Sequence, residues 1–167
     1  MSSTSSRKKT DLIKKVIAAS KGVSKRKLAA RQEKFIRQFF ANAPERDLIE
    51  KQPSTLAGMA NAAWNLIQKR KAGETKIRVF NPSDSSDGWQ SDRTYLDIAM
   101  EDMPFLVDSV TANLTRRGIT VHQVIHPVLR LERAKNGALK EILSSETSDK
   151  LVTNEAIMSF ELSQVSP

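Results

Sequence analysis

Apolar residues recur every three to four positions through the first seventy residues, then switch to strict alternation. Leu12, Ile13, Val16 and Ile17 share one face and predict a short amphipathic helix over residues 11–20, stopped near Gly22. Residues 1–9 are Ser/Thr-rich and then basic, and are expected to be disordered. Ser24 is placed to cap a second helix running to about Ala41, with Leu28, Phe35, Ile36, Phe39 and Phe40 as its apolar set. Those phenylalanines are too closely spaced to stay in water, and helix–helix core is a better reading than a membrane anchor. After Pro44, Ser54 reads as the cap of a helix to about Lys71, with Leu56, Met59, Ala60, Ala63, Trp64 and Ile67 as its stripe and Gly73 as its stop.

From Lys76 the period changes to two. Ile77, Val79 and Phe80 predict a strand ended by Asn81-Pro82. Residues 83–92 are a polar turn region carrying Trp89, and Tyr95, Leu96, Ile98 and Met100 predict a second strand. Asp102 is then expected as N-cap, with Pro104 in the first helical turn, where a missing N–H costs nothing. Phe105, Leu106, Ser109, Val110 and Leu114 predict the buried face of that helix, and Arg116-Arg117-Gly118 its close. Residues 119–131 read as a long strand whose inner set is Val121, Ile125, Leu129 and Leu131. Pro127 within it argues for an edge position or a bulge. Asn136-Gly137 signals a hairpin into a strand over 139–143. After a polar loop over 144–154, Ala156, Met158, Phe160 and Leu162 alternate in a final strand.

Helices first and strands afterwards, with one helix among the strands, define an α+β chain. The expected architecture is N-terminal helices followed by an incomplete ferredoxin-like sheet with one packed helix. It divides into a basic, partly helical arm (1–31), a helical segment (32–73) and an α+β domain (74–167). A ferredoxin-like βαββαβ sandwich needs a second helix and a closing strand. Residue 167 falls where that helix is due, so the expectation is a truncated unit with one sheet face partly bare and a tendency to self-associate.

Composition changes this picture in two respects. The net charge of +8 is concentrated at the start: residues 1–40 carry 12 Lys/Arg against 2 Asp/Glu, and the remaining 127 carry 15 against 17. The basic character belongs to the arm, for which a solvated helical face, an anionic partner such as nucleic acid, and an organelle-targeting presequence are the readings. With no aromatic residue interleaved in 1–34, nucleic-acid binding is disfavoured. Cysteine is absent, which removes disulfides and thiolate chemistry and fits a reducing, cytoplasmic setting. No apolar run approaches the ~20 residues of a membrane span.

No catalytic constellation assembles from these residues. His122 and His126 are the only histidines, and four extended residues separate them by ~13 Å, so no metal site is assigned. Asp102 and Asp108 straddle a helix start without facing each other as an acid pair. Ser109 has no histidine base in its sequence context. Trp64 and Trp89 read as packing residues. No glycine-rich nucleotide fingerprint follows a strand, so no cofactor is assigned to this chain.

Several segments in order carry a family resemblance: Phe35-Ile36-Arg37-Gln38-Phe39-Phe40, Asp47-Leu48, Trp64 with Lys69-Arg70, Lys76-Ile77-Arg78-Val79-Phe80-Asn81-Pro82 and Gly88-Trp89-Gln90-Ser91. Most specific is Asp102-Met103-Pro104-Phe105-Leu106-Val107-Asp108-Ser109-Val110, continuing through Arg117-Gly118 and Ile125-His126-Pro127-Val128-Leu129-Arg130. From about Glu33 onward the chain resembles the N-terminal region of the large bacterial NAD-specific glutamate dehydrogenases. The resemblance implies a non-catalytic ACT-type module. The parent enzyme, with NAD, would convert glutamate to 2-oxoglutarate and ammonia in a domain far downstream. The partners it implies are the rest of the same polypeptide, its homo-oligomer and an amino-acid effector. Effectors of ACT modules bind near the strand-to-helix turn, so Asp102, Met103, Pro104 and Asp108 are the expected ligand residues, with Asp108 meeting a ligand amine. The first ~30 residues depart from the family pattern. The alternative is a stand-alone binding module that uses its basic arm on an anionic partner.

Overall fold

A computed structural model describes residues 2–23, 30–144 and 152–166. Four helices come first: α1 (Ser2–Val23), α2 (Ala30–Phe39), α3 (Glu45–Ile49) and α4 (Pro53–Ile67). Then follow β1 (Lys76–Phe80), β2 (Thr94–Glu101), α5 (Leu106–Arg116), β3 (Val121–Ile125), β4 (Val128–Arg133), β5 (Leu139–Leu143) and β6 (Val152–Leu162). The α+β class and the single helix among the strands match the sequence expectation.

Helix α1 begins nine residues earlier than expected, at Ser2, so the basic start is helical. Its apolar face supplies the reason. Ile13, Val16 and Ile17 are buried in the main core, and Lys9 Nζ reaches across to the carbonyls of Ala41 and Ala43 beyond the end of α2. Burial lowers the pKa of Lys9, against the pull of Glu45. The expected Ser24 cap lies outside the described residues. Helix α4 starts on Pro53 with Gln52 as N-cap, so Ser54 is the second helical residue and caps nothing. The helix ends at Ile67, four residues short of the expected end. Phe35, Ile36, Phe39 and Phe40 are all buried, with Phe35 stacked on Phe39 and tilted against Trp64.

The sheet is antiparallel throughout, in the order β1-β2-β6-β4-β5, with β3 also pairing β6. Strands β3 and β4 divide one edge of the long β6 between them: Val121–Ile125 opposes its C-terminal half, and Val128–Arg133 its N-terminal half. The break falls at His126-Pro127, where the missing proline N–H interrupts the ladder while the Pro127 carbonyl still accepts from Ile157 N–H. A register shift between Val121 and Gln123 has a further effect. Ile125, Leu129 and Leu131 point into the main core as expected, but Val121 packs on the opposite face with α5.

Two apolar layers result. The larger sets α1, α2 and α4 against one sheet face, through Tyr95, Ala99, Ile125, Leu129, Leu131, Ile142 and Ile157. Gly58 of α4 touches the ring of Trp89, and a Cβ there would lie 2.3 Å from it. The smaller layer sets α5 on the other face through Leu96, Ile98, Met158, Phe160, Leu162 and Leu114.

Candidate functional site

The strand-to-helix turn differs from its sequence-based reading. Asp102 does not cap α5. It ends the sheet, its N–H donating to Asn154 O at 2.9 Å, and residues 103–105 form the connection. The N-cap is Phe105, with φ 64° and ψ 18°, in the left-handed region that L-residues avoid, and it makes no side-chain cap bond. Its ring, expected on the buried face, is 76 % exposed, and Ser109 is exposed too. The packed face is Leu106, Val107, Val110 and Leu114. With the helix starting at Leu106, Asp108 is its third residue, where a carboxylate complements the positive helix end.

The turn borders a cavity of about 200 Å³. Asp102, Met103 and Asp108 line it together with Phe105, Leu106, His126 and Val128, over a floor that includes Ala156 and Met158. Three of the four expected ligand residues therefore meet there, and Pro104 is not on the wall. Sequence reasoning missed His126 and Val128, which the break at Pro127 brings to the same rim. His122 is elsewhere, its Nε2 2.9 Å from Arg93 Nη1 and 3.0 Å from Ser163 Oγ. Among the described residues no three His, Cys, Asp or Glu side chains gather as a metal site.

Around this turn the α5 side of the sheet keeps large apolar groups in water: Ile77 60 %, Val79 64 %, Met103 49 % and Val128 49 % exposed, besides Phe105. Ile77 and Val79 stand opposite Ile98 and Leu96 on β1, which pairs with β2 alone. The alternation that predicted β1 was read correctly, but among the described residues no element covers its outer residues.

A buried ionic cluster locks the opposite face. Glu155, fully buried on β6, accepts from Arg70 Nε at 2.8 Å and from Arg133 Nε and Nη2 at 2.6 and 2.9 Å. Burial alone would raise the Glu155 carboxyl, but the hydrogen bonds from Arg133 and Arg70 outweigh it and hold it at about 2. Arg70 in turn donates to Glu74 O, and Arg133 to Ile67 O and Gly137 O. The cluster ties the end of α4 to the β4–β5 hairpin, which gives Arg70 a structural role, while Lys69 joins the same hairpin by a backbone bridge to Ala138.

A sheet with one helix on its second face, entered through a tight turn after β2, defines an ACT-like α+β module. The comparisons with known proteins agree. The family described as "Glutamate dehydrogenase, ACT1 domain" matches residues 35–167, and the chain belongs to it, as an N-terminal region of an NAD-specific glutamate dehydrogenase. The NAD-specific glutamate dehydrogenase of Halomonas elongata is 37 % identical over 134 residues, 80 % of this chain and 8 % of that protein. The enzyme of the same description from Pseudomonas aeruginosa is 37 % identical over 128 residues, 77 % of this chain and 8 % of that protein. The chain thus spans about a twelfth of the length of these relatives. No solved structure matches it. No helix among the described residues is long and apolar enough to cross a membrane.

Proposed function

We propose that the chain is a non-catalytic regulatory and assembly segment of a cytoplasmic, NAD-dependent glutamate dehydrogenase, whose parent reaction is oxidative deamination of glutamate to 2-oxoglutarate and ammonia. Its partners are the remainder of the same polypeptide and the homo-oligomer. The observation that carries this reading is the uncovered apolar surface on the α5 side, where Ile77, Val79, Met103, Phe105 and Val128 lie in water. Large apolar groups left in water mark sites of association, and the matched region is only 8 % of each relative's length, so the relatives supply a source of cover.

An amino-acid effector belongs at the α5 turn in the same reading. Asp102 and Asp108 present carboxylates to an ammonium group, and Met103 and Val128 present apolar surface to its side chain. NAD serves the parent enzyme and not this segment. Sedimentation of the isolated chain tests the assembly role. Wild type is expected to self-associate at micromolar concentration, and the double variant I77K/V79K to run as a monomer. A wild type that is monomeric throughout overturns the reading. Calorimetric titration with amino acids, repeated on Asp108→Ala, tests the effector site, and heats identical in the two proteins remove Asp108 from it.

A further inference from the structure

Among the described residues, three strands have a neighbouring strand on one side only: β1, β3 and β5. Two of these edges carry features that keep a further strand away. Strand β3 is irregular at Val121 and Gln123 and stops before Pro127. Strand β5 meets β4 in a shifted register, and its start is taken up by other elements: Leu139 N–H donates to Gln68 O, and Arg31 Nη1 donates to the Leu139 and Lys140 carbonyls. Strand β1 has neither. It pairs with β2 in unbroken register along its whole length, and no other hydrogen bond to its backbone occurs among the described residues. The N–H and C=O groups on its outer side are open to water, which makes them a template for another strand.

The side chains of β1 restrict what can add there. Ile77 and Val79 lie on the α5 side, in water, as part of the bare surface already described. Lys76, Arg78 and Phe80 alternate onto the helical side. Arg78 is held at the middle of the strand by Asp87 and stacks over the Phe80 ring at 4.0 Å. A second copy, pairing antiparallel so that Ile77 met Val79, would set Arg78 directly against its own counterpart. Like charges placed opposite each other are destabilising. The short strand and its two cations thus discourage self-pairing without closing the edge to a different strand. The matched region is 8 % of each relative's length, so a longer polypeptide has ample chain to supply one.

We infer that the sheet continues at β1: its outer edge takes one further strand, an extended segment of the longer polypeptide with apolar residues opposite Ile77 and Val79 and no cation opposite Arg78. The inference rests on the covered α5 side proposed above and gives part of that cover its form. Backbone hydrogen bonds hold the added strand, and its apolar side chains extend the row begun by Ile77 and Val79.

The test is amide hydrogen exchange, resolved to single residues by mass spectrometry. It compares the 167-residue chain, kept dilute, with a fusion in which the chain replaces the matched region of the Pseudomonas aeruginosa relative. Every second amide of β1 faces β2 and should exchange slowly in both proteins. The outward amides should exchange at least tenfold slower in the fusion than in the isolated chain. Thiol modification of Val79→Cys, timed in the same two backgrounds, reports the cover by itself. A thiol shielded in the fusion, with outward amides equally fast in both proteins, overturns the inference and leaves the covered α5 side standing. Equal thiol rates together with equal amide rates overturn both. Outward amides that slow only as the isolated chain is concentrated identify the added strand as a second copy, and also overturn the inference. Should the fusion fail to assemble, exchange in the unaltered Pseudomonas aeruginosa enzyme decides: consecutive slow amides over the segment aligned with β1 support the added strand, and alternate fast amides overturn it.

Discussion

Asp97 offers the sharpest quantitative test of the fold. It lies in the centre of β2, opposite Arg78 of β1 and Ser159 of β6, and its side chain points beneath the helical layer between Tyr95 and Ala99. Both carboxyl oxygens are buried, and neither has a hydrogen-bond partner of good geometry. Burial pushes the carboxyl up to about 7, offset only in part by the Ser159 hydroxyl and the Arg78 charge. The unfolded value is about 3.9. Because the folded value is the higher one, the native state binds the extra proton between about pH 4 and 7. Stability from this group is full at acid pH, falls as pH rises through that window, and is flat above it. Three units at 1.36 kcal/mol each put the full loss at about 4 kcal/mol, with about 2–3 kcal/mol of it between pH 5 and 8. Asp97→Asn removes the charge and keeps the shape. Urea unfolding of both proteins at pH 5 and pH 8 is the assay, and every other titrating group cancels in the difference. The variant should be the more stable by about 1–3 kcal/mol at pH 8, and the gap should shrink by about 2 kcal/mol or more at pH 5. A gap that does not change with pH, or a less stable variant at pH 8, refutes the reasoning.

Glu155→Gln should cost about 3–5 kcal/mol in urea unfolding, because it leaves the buried Arg70 and Arg133 uncompensated. Glu155 is held at about 2, below its unfolded value, so its contribution is present above about pH 4.3 and lost as pH falls towards 2. Acid unfolding should therefore begin at higher pH in wild type than in a variant carrying Met or Leu at all three positions. Gly137→Ala should lower the melting temperature by several degrees, since the residue has φ 87° and its Cβ would lie 2.6 Å from the Arg70 carbonyl oxygen. Phe105→Gly should stay within about 1 kcal/mol of wild type by thermal melting, because the strain relieved roughly offsets the added freedom of the unfolded chain and the ring buries little. A large loss would show that the ring packs.

What was legible in the sequence was whatever period and local chemistry determine. The change from helical spacing to alternation at Lys76, the Asn136-Gly137 hairpin and the buried phenylalanines of α2 were all read correctly, since each depends on neighbours along the chain. Boundaries set by tertiary contacts were not. Ser2 is helical because a helix anchored by Ile13, Val16 and Ile17 extends back through it. Phe105 takes a left-handed conformation that no propensity favours, and the Asp102 that looked like a cap is held instead by the β2–β6 ladder. Partners far apart in sequence left no local trace. Arg70, Arg133 and Glu155 are separated by up to 85 residues. The cavity at the α5 turn was half-legible: Asp102, Met103 and Asp108 came from one motif, while His126 and Val128 arrived through the break at Pro127.

The central claim is that the α5 side of the sheet is covered by the rest of a longer polypeptide. The most direct measurement uses the absence of cysteine in this chain. Val79→Cys is made in the 167-residue chain and in a fusion in which the chain replaces the matched region of the Pseudomonas aeruginosa relative, and thiol modification at that site is timed by mass spectrometry. Covering predicts modification at least tenfold slower in the fusion than in the isolated chain kept dilute. Equal rates in the two proteins would contradict it.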